Sequence, residues 1–198
     1  GANRIHGLGG NDNLYGGAKA DLIDGGSGND TLYGNAGSDE LVGGVGDDTL
    51  NGDAGNDVLV GGIGTDKLAG GVGNDTYVLA RGDGIDTIED YDTAAGNTDV
   101  VQFVDVASTE LTALERIGNN LVLKYGDGDQ VTVSKYFDPS YPGYKVEQFQ
   151  FSDGVVWDEA QIKARVLTMG TSAAESITGY SDGANRIHGL GGNDNLYG

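Results

Sequence analysis

Residues 7–78 read GLGGNDNLY, GGAKADLID, GGSGNDTLY, GNAGSDELV, GGVGDDTLN, GDAGNDVLV, GGIGTDKLA and GGVGNDTYV, eight nine-residue copies in one unbroken frame. Glycine opens every copy. The sixth column is always aspartate: Asp12, Asp21, Asp30, Asp39, Asp48, Asp57, Asp66 and Asp75. A large apolar residue fills the eighth: Leu14, Ile23, Leu32, Leu41, Leu50, Leu59, Leu68 and Tyr77. The six residues before Gly7 are the tail of an earlier copy, with Asn3 in the aspartate column and Ile5 in the apolar one.

Each nonamer divides into a glycine-rich turn and a three-residue strand. Glycine suits the turn because positive φ is cheap only without a Cβ. The strand turns its middle side chain inward and its neighbours outward. Two turns and two strands then close one coil in 18 residues, and successive coils stack as parallel strands about 4.8 Å apart. Leu14, Leu32, Leu50 and Leu68 line one wall of a thin core; Ile23, Leu41, Leu59 and Tyr77 line the other. Stacking brings aspartates two copies apart face to face. One ladder is Asp12–Asp30–Asp48–Asp66 and the other Asp21–Asp39–Asp57–Asp75. Carboxylates so close repel unless a positive charge lies between them. An anionic all-oxygen site suits calcium, whereas magnesium keeps its waters.

Composition agrees. Glycine accounts for 37 of 198 residues with only two prolines, which excludes collagen, and the strictly spaced apolar column argues against a disordered linker. A net charge of −20 disfavours nucleic acid and anionic membranes as partners and favours cations. Cysteine is absent, so thiolate metal sites and disulfides are excluded. No apolar run approaches the roughly 20 residues of a membrane span, and no signal peptide opens the chain. Residues 183–198 repeat residues 1–16 without a change. The offset of 182 residues points to a tandem array cut in mid-repeat, and thus to a fragment; the alternative is a deliberately duplicated end.

These nonamers resemble the RTX family, whose GGxGxDxUx repeats form calcium-bound parallel β-rolls. The resemblance implies that each ion takes the aspartate and two main-chain carbonyls from each of two stacked turns. One site would join Asp12, Leu8 and Gly10 to Asp30, Gly25 and Ser27. Moved along that ladder, the rule pairs Gly26 and Gly28 with Gly43 and Val45, Gly44 and Gly46 with Gly61 and Ile63, and Gly62 and Gly64 with Arg81, Asp83 and Asp86. On the second ladder it pairs Gly17 and Lys19 with Gly34 and Ala36, Asn35 and Gly37 with Gly52 and Ala54, Asp53 and Gly55 with Gly70 and Val72, and Gly71 and Gly73 with Asp99. The implied cofactor is roughly six to eight Ca²⁺ ions. Lys19, standing where glycine is expected, predicts strain at the Gly17/Lys19/Asp21 half-site, and Asn3 predicts a weak one.

Beyond Val78 the frame loosens. GDGIDTI, with Asp86 and Ile88, and NTDVVQF, with Asp99 and Val101, read as degenerate coils. Asp90 and Asp92 could add ligands to these coils, but their spacing is not that of an EF-hand loop, and solvated loop acids are the preferred reading. Leu121–Tyr125 and Gln130–Ser134 flank a Gly-Asp-Gly-Asp turn and predict an antiparallel hairpin, with Asp127 and Asp129 as turn residues. Asp158 is placed to cap a short helix over Glu159–Val166. The GDGIDTI, LVLKYGDGDQVTV and VEQFQFSDGVVW motifs resemble the haemolysin-type calcium-binding-related module, which implies a structural role. The aromatic residues here predict a conventional cap core; the competing reading is a carbohydrate or receptor site using Tyr141 and Trp157. GTSAAESIT, with Glu175 and Ile177, restarts the roll.

The expected fold is therefore all-β: a calcium-bound parallel β-roll over 1–104 (nonamers to 78, degenerate coils from 79), an antiparallel capping module with one short helix over 105–168, and the next roll from 169. Catalysis is not expected. The G-x-S-x-G motif at 179–183 precedes a glycine repeat rather than a helix, and the only histidines, His6 and His188, occupy one repeat position. Arg81-Gly82-Asp83 spells an adhesion tripeptide inside a turn. The function expected is a calcium-dependent structural repeat of a secreted or surface bacterial protein, in contact with neighbouring units of its own array and, by resemblance, exported by type I secretion. A C-terminal calcium module of a secreted protease or lipase and a ligand-binding adhesin domain are the alternatives.

Overall fold

The computed structural model describes residues 1–94, 96–179 and 186–198. The coils stack as the nonamer spacing dictates. One sheet runs through Arg4–His6, Leu22–Ser27, Glu40–Val45, Val58–Ile63, Thr76–Leu79, Val100–Phe103, Gln148–Gln150 and Val156–Asp158. The facing sheet runs through Asn13–Gly17, Thr31–Asn35, Thr49–Ala54, Lys67–Val72, Ile85–Ile88, Asp129–Val133, Asn120–Tyr125, Ala113–Ile117, Leu167–Met169 and Arg186–His188. Within the nonamers every pairing is parallel and shifted by one coil: Ile23 sits on Leu41, Leu41 on Leu59, Leu59 on Tyr77, and likewise Leu32 on Leu50 and Leu50 on Leu68. All of these side chains are buried, while Leu14, on the first coil, is only partly covered.

Loss of the nine-residue frame does not end the solenoid. Val101 continues the column on Tyr77, and Phe149 continues it on Val101. On the facing wall Ile88 stacks on Leu68 and Val133 on Ile88. The extra residues leave as loops or as the antiparallel hairpin of Asn120–Tyr125 with Asp129–Val133, and the inward columns rejoin after each excursion. The hairpin passes the sheet to Ala113–Ile117, and Leu167–Met169 then pairs in parallel with both Ala113–Ile117 and Arg186–His188. The restarted repeat is thus hydrogen-bonded onto the same sheet.

Asp158 caps the helix Glu159–Arg165 through a reciprocal bond with Gln161, a capping box. Tyr125, Phe103, Phe149, Phe151 and Trp157 are buried; Phe103 and Phe151 stack at 5.1 Å and Phe151 meets Trp157 edge-on at 4.7 Å. Trp157 belongs to the cap core, whereas Tyr141 is 47% exposed. Asp129 is also a correction. It is buried and accepts the Gly82 and Gly84 N–H groups at 2.9 and 3.2 Å, so it ties the hairpin to the roll rather than merely shaping a turn. Residues 180–183 of the G-x-S-x-G motif lie outside the described residues. Among the described residues, no helix is long and apolar enough to cross a membrane.

Candidate functional site

The sixth-column aspartates form two continuous hydrogen-bonded ladders. Each aspartate N–H donates to Oδ1 of the aspartate one coil on. The distances are 2.8 Å for Asp12 to Asp30, 2.7 Å for Asp30 to Asp48 and 2.8 Å for Asp48 to Asp66. On the other edge they are 2.7 Å for Asp21 to Asp39, 2.7 Å for Asp39 to Asp57 and 2.8 Å for Asp57 to Asp75. The degenerate coils keep the pattern: Asp66 donates to Asp86 at 3.1 Å and Asp75 to Asp99 at 2.8 Å. From the second coil on, one oxygen of each ladder carboxylate is therefore fixed by the main chain.

The other oxygen has no partner. Oδ2 of Asp12, Asp30, Asp39, Asp48, Asp57, Asp66, Asp75 and Asp86 is buried without a hydrogen bond. A single orphaned carboxylate oxygen is already costly, and eight in the same column mark a missing common partner. Its sign follows from the electrostatics. Burial raises the Asp57 carboxyl to about 6, Asp66 and Asp75 to about 7 and Asp86 to about 8; the carboxylate of the neighbouring coil adds to each. Near neutrality some of these groups must either hold a proton or share a cation.

The first-column glycines leave room for one. A methyl group on Gly34 would lie 2.6 Å from Oδ2 of Asp39 and 2.8 Å from the Gly52 carbonyl oxygen of the next coil. The orphaned oxygen and that carbonyl thus border the same space, and hard oxygen donors of this kind fit calcium. Columns two and four (Leu8, Gly10, Gly26, Gly28, Asn35, Gly37, Gly44, Gly46, Asp53, Gly55, Gly62, Gly64, Gly71 and Gly73) all have positive φ, between 70° and 159°. Alternation with the third column gives each turn its curl. Third-column carbonyls of Ser27, Val45, Ile63, Ala54 and Val72 each accept a fourth-column N–H from the preceding coil, and Asp83 does the same for Gly64 at 2.7 Å. Asp83 therefore occupies a third-column place, while Arg81 pairs with Glu110 at 2.7 Å.

The second copy departs from this pattern. Neither Gly17 nor Lys19 has positive φ. A side chain at Lys19 makes that conformation expensive, so the turn takes another path. Gly17 N–H then donates to Oδ2 of Asp21 at 2.6 Å, and Asn3 N–H donates to its Oδ1. Both oxygens of Asp21 are occupied, and the Gly17/Lys19/Asp21 half-site is built unlike the others.

Three acidic residues were not legible as part of this system. Asp90 and Asp92 are buried, not solvated: Asp90 Oδ1 accepts Gly71 N–H at 2.9 Å and Asp92 Oδ2 accepts Gly73 N–H at 3.0 Å. Glu147 extends a ladder by accepting Asp99 N–H at 2.8 Å. A signal for Glu147 existed, because Glu147-Gln148-Phe149 preserves the acid–x–apolar spacing of columns six to eight. Asp90 and Asp92 carried none, since no repeat frame spans them.

The geometry defines a calcium-binding parallel β-roll. The RTX calcium-binding nonapeptide repeat matches residues 6–41, 15–50, 42–77 and 170–198, about half the chain, and the haemolysin-type calcium binding protein related domain matches 120–161. The chain belongs to the RTX calcium-binding repeat family. It is 37% identical over 118 residues to the iron-regulated protein FrpA of Neisseria meningitidis serogroup C. That match covers 59% of this chain and 10% of the relative, so the chain spans a small part of that protein's length.

Proposed function

We propose that this chain is a calcium-loaded structural unit of a secreted or surface-exposed bacterial protein, unfolded where calcium is scarce and folded after export. The observation that carries the reading is the column of eight buried, unpartnered Oδ2 atoms. Calcium, when bound, would supply the positive charge that lets stacked carboxylates ionise together. Successive ladder aspartates, with first- to fourth-column carbonyls, would hold about six to eight ions, the Asp21 half-site being the weakest. The chain's own residues supply the rest: main-chain N–H groups orient each carboxylate, and the apolar columns exclude water from one side. One apolar side chain per nonamer is a thin core for so glycine-rich a chain, which makes folding depend on the ions.

In this reading residues 1–104 are the roll, 105–168 its cap and 169–198 the start of the next unit. Arg186–His188 repeats the sequence of Arg4–His6 and pairs with Leu167–Met169, which supports neighbouring units joining through a continuous sheet. The unit has no catalytic role of its own. The test is circular dichroism in EDTA and in millimolar calcium, with a parallel calorimetric titration. The expected result is a strand spectrum only with calcium and six to eight ions bound; the same strand spectrum in EDTA would sink the proposal.

A further inference from the structure

We propose that Asp90 joins the Asp75–Asp99 step of the second ladder, where the nonamers run out, to form a calcium site closed by three carboxylates rather than by turn carbonyls. The site rests on the reading above only for the identity of its ion.

In a regular turn the fourth-column N–H donates to a third-column carbonyl of the next coil, as Gly55 does to Val72 at 2.8 Å. Beyond Gly70–Asp75, among the described residues, no main-chain carbonyl of a following coil accepts the Gly73 N–H. Gly73 N–H finds Oδ2 of Asp92 instead, and Gly71 N–H finds Oδ1 of Asp90. Side-chain carboxylates have replaced the missing turn. Asp90 is 2% exposed and Asp75 and Asp99 are fully buried. Oδ2 of Asp75 and Oδ2 of Asp90 have no hydrogen-bond partner. One oxygen from each of the three residues lies within 4.8 Å of the other two. That limit is about twice a calcium–oxygen bond of 2.3–2.6 Å, so all three can touch one ion.

The ligands are held in place. Main-chain N–H groups of Gly71, Asp57 and Asp75 fix Asp90, Asp75 and Asp99 at 2.9, 2.8 and 2.8 Å, and the Asn97 amide lies 3.3 Å from Oδ2 of Asp99. Such outer contacts orient metal ligands and strengthen binding. Among the described residues no ion pair reaches Asp75, Asp90 or Asp99, and Lys145, two residues before Glu147, pairs with Glu159 at 2.8 Å. A regular ladder gap offers two carboxylates, and this site offers three. Charge count and rigidity set calcium affinity, so the trio is expected to bind more tightly than a ladder gap. Magnesium, which demands octahedral geometry and retains waters, is poorly served by a buried trio.

The test uses the full chain crystallised in calcium and soaked with terbium(III), with anomalous peaks located at both kinds of site. Peaks among Asp75, Asp90 and Asp99 and in the ladder gaps support both proposals. Filled ladder gaps with nothing at the trio overturn this site alone, and a filled trio with empty ladders overturns the broader reading alone. No metal at either place overturns both. In solution, Asp90→Asn is expected to lose one ion of the tightest class by native mass spectrometry, or to weaken it tenfold or more, while Asp24→Asn, at a half-buried strand carboxylate beside His6 and off the ladders, loses none. An unchanged ion count and affinity in Asp90→Asn overturns the site, and if that variant does not fold the wild-type crystal decides.

Discussion

Asp48→Asn separates a metal-binding carboxylate from a turn-forming one. Asp48 is 1% exposed, accepts Asp30 N–H through Oδ1 at 2.7 Å and leaves Oδ2 unpartnered. Asparagine keeps the Oδ1 acceptor, so the ladder bond survives. A methyl group on Gly43 would lie 2.5 Å from both Oδ2 and the Gly61 carbonyl, so the new amide nitrogen faces an acceptor. Without calcium the change removes a charge that burial, and then the Asp30 and Asp47 carboxylates, disfavour, so the metal-free chain should be no less stable. With calcium, the gaps toward Asp30 and toward Asp66 each lose one carboxylate. At about tenfold per ion, each loss costs ~1.4 kcal/mol, or ~3 kcal/mol for the pair. Spread over about six ions that fold the chain together, the same ~100-fold change moves the calcium midpoint up only about twofold. The assay is therefore double: urea unfolding at fixed millimolar calcium, followed by far-UV circular dichroism, and the calcium midpoint itself. Asp47→Asn makes the same charge change next door on an exposed side chain that caps Thr65 N–H, and should leave both readouts in place. If Asp48→Asn unfolds with the wild-type urea midpoint at fixed calcium, the pairing of carboxylates across the gap is wrong.

Three further outcomes follow from the same geometry. Asp57, Asp66, Asp75 and Asp86 have raised values of about 6, 7, 7 and 8, so their contribution to the metal-free fold is present below the ordinary carboxylate range and lost as pH rises through 6 to 8. Protons and calcium compete for these oxygens, and calcium midpoints measured by circular dichroism at pH 6, 7.5 and 9 should fall as pH rises. Gly55 has φ of 145° and a Cβ there would run into the Gly37 carbonyl, whereas Gly10 has φ of 106° with nothing within 4 Å. Gly10→Ala should cost about 1 kcal/mol of strain, and Gly55→Ala clearly more, in urea unfolding at saturating calcium. Lys19→Gly should restore the turn of the second copy, release Oδ2 of Asp21 from Gly17 N–H and tighten or add one ion in a calorimetric titration.

The roll was legible because its chemistry repeats with its geometry. A period of nine places every aspartate in one column and every core residue in another, so one coil determines the rest. Even the degenerate coils around Asp86 and Asp99 kept the acid two residues before the apolar position. Legibility failed where a contact depended on which loop returns to which edge. Nothing local distinguishes Asp129, buried on Gly82 and Gly84, from the nearby Asp127 of the same turn. Asp90 and Asp92 looked like loop acids because only the stacked structure shows Gly71 and Gly73 presenting N–H groups with no following turn to receive them.

That failure has a physical cause. A parallel solenoid exposes unpaired main-chain donors wherever its repeat stops, and buried donors must find acceptors. On the second ladder the acceptors are carboxylates drawn from outside the repeat. Each brings a negative charge to an edge already lined with them. Capping the turn with Asp90 and Asp92 therefore satisfies the hydrogen bonds by concentrating acidic groups, and on the proposal above the edge depends on a cation more than the regular coils before it. A neutral acceptor such as asparagine would have closed the same hydrogen bonds without that dependence.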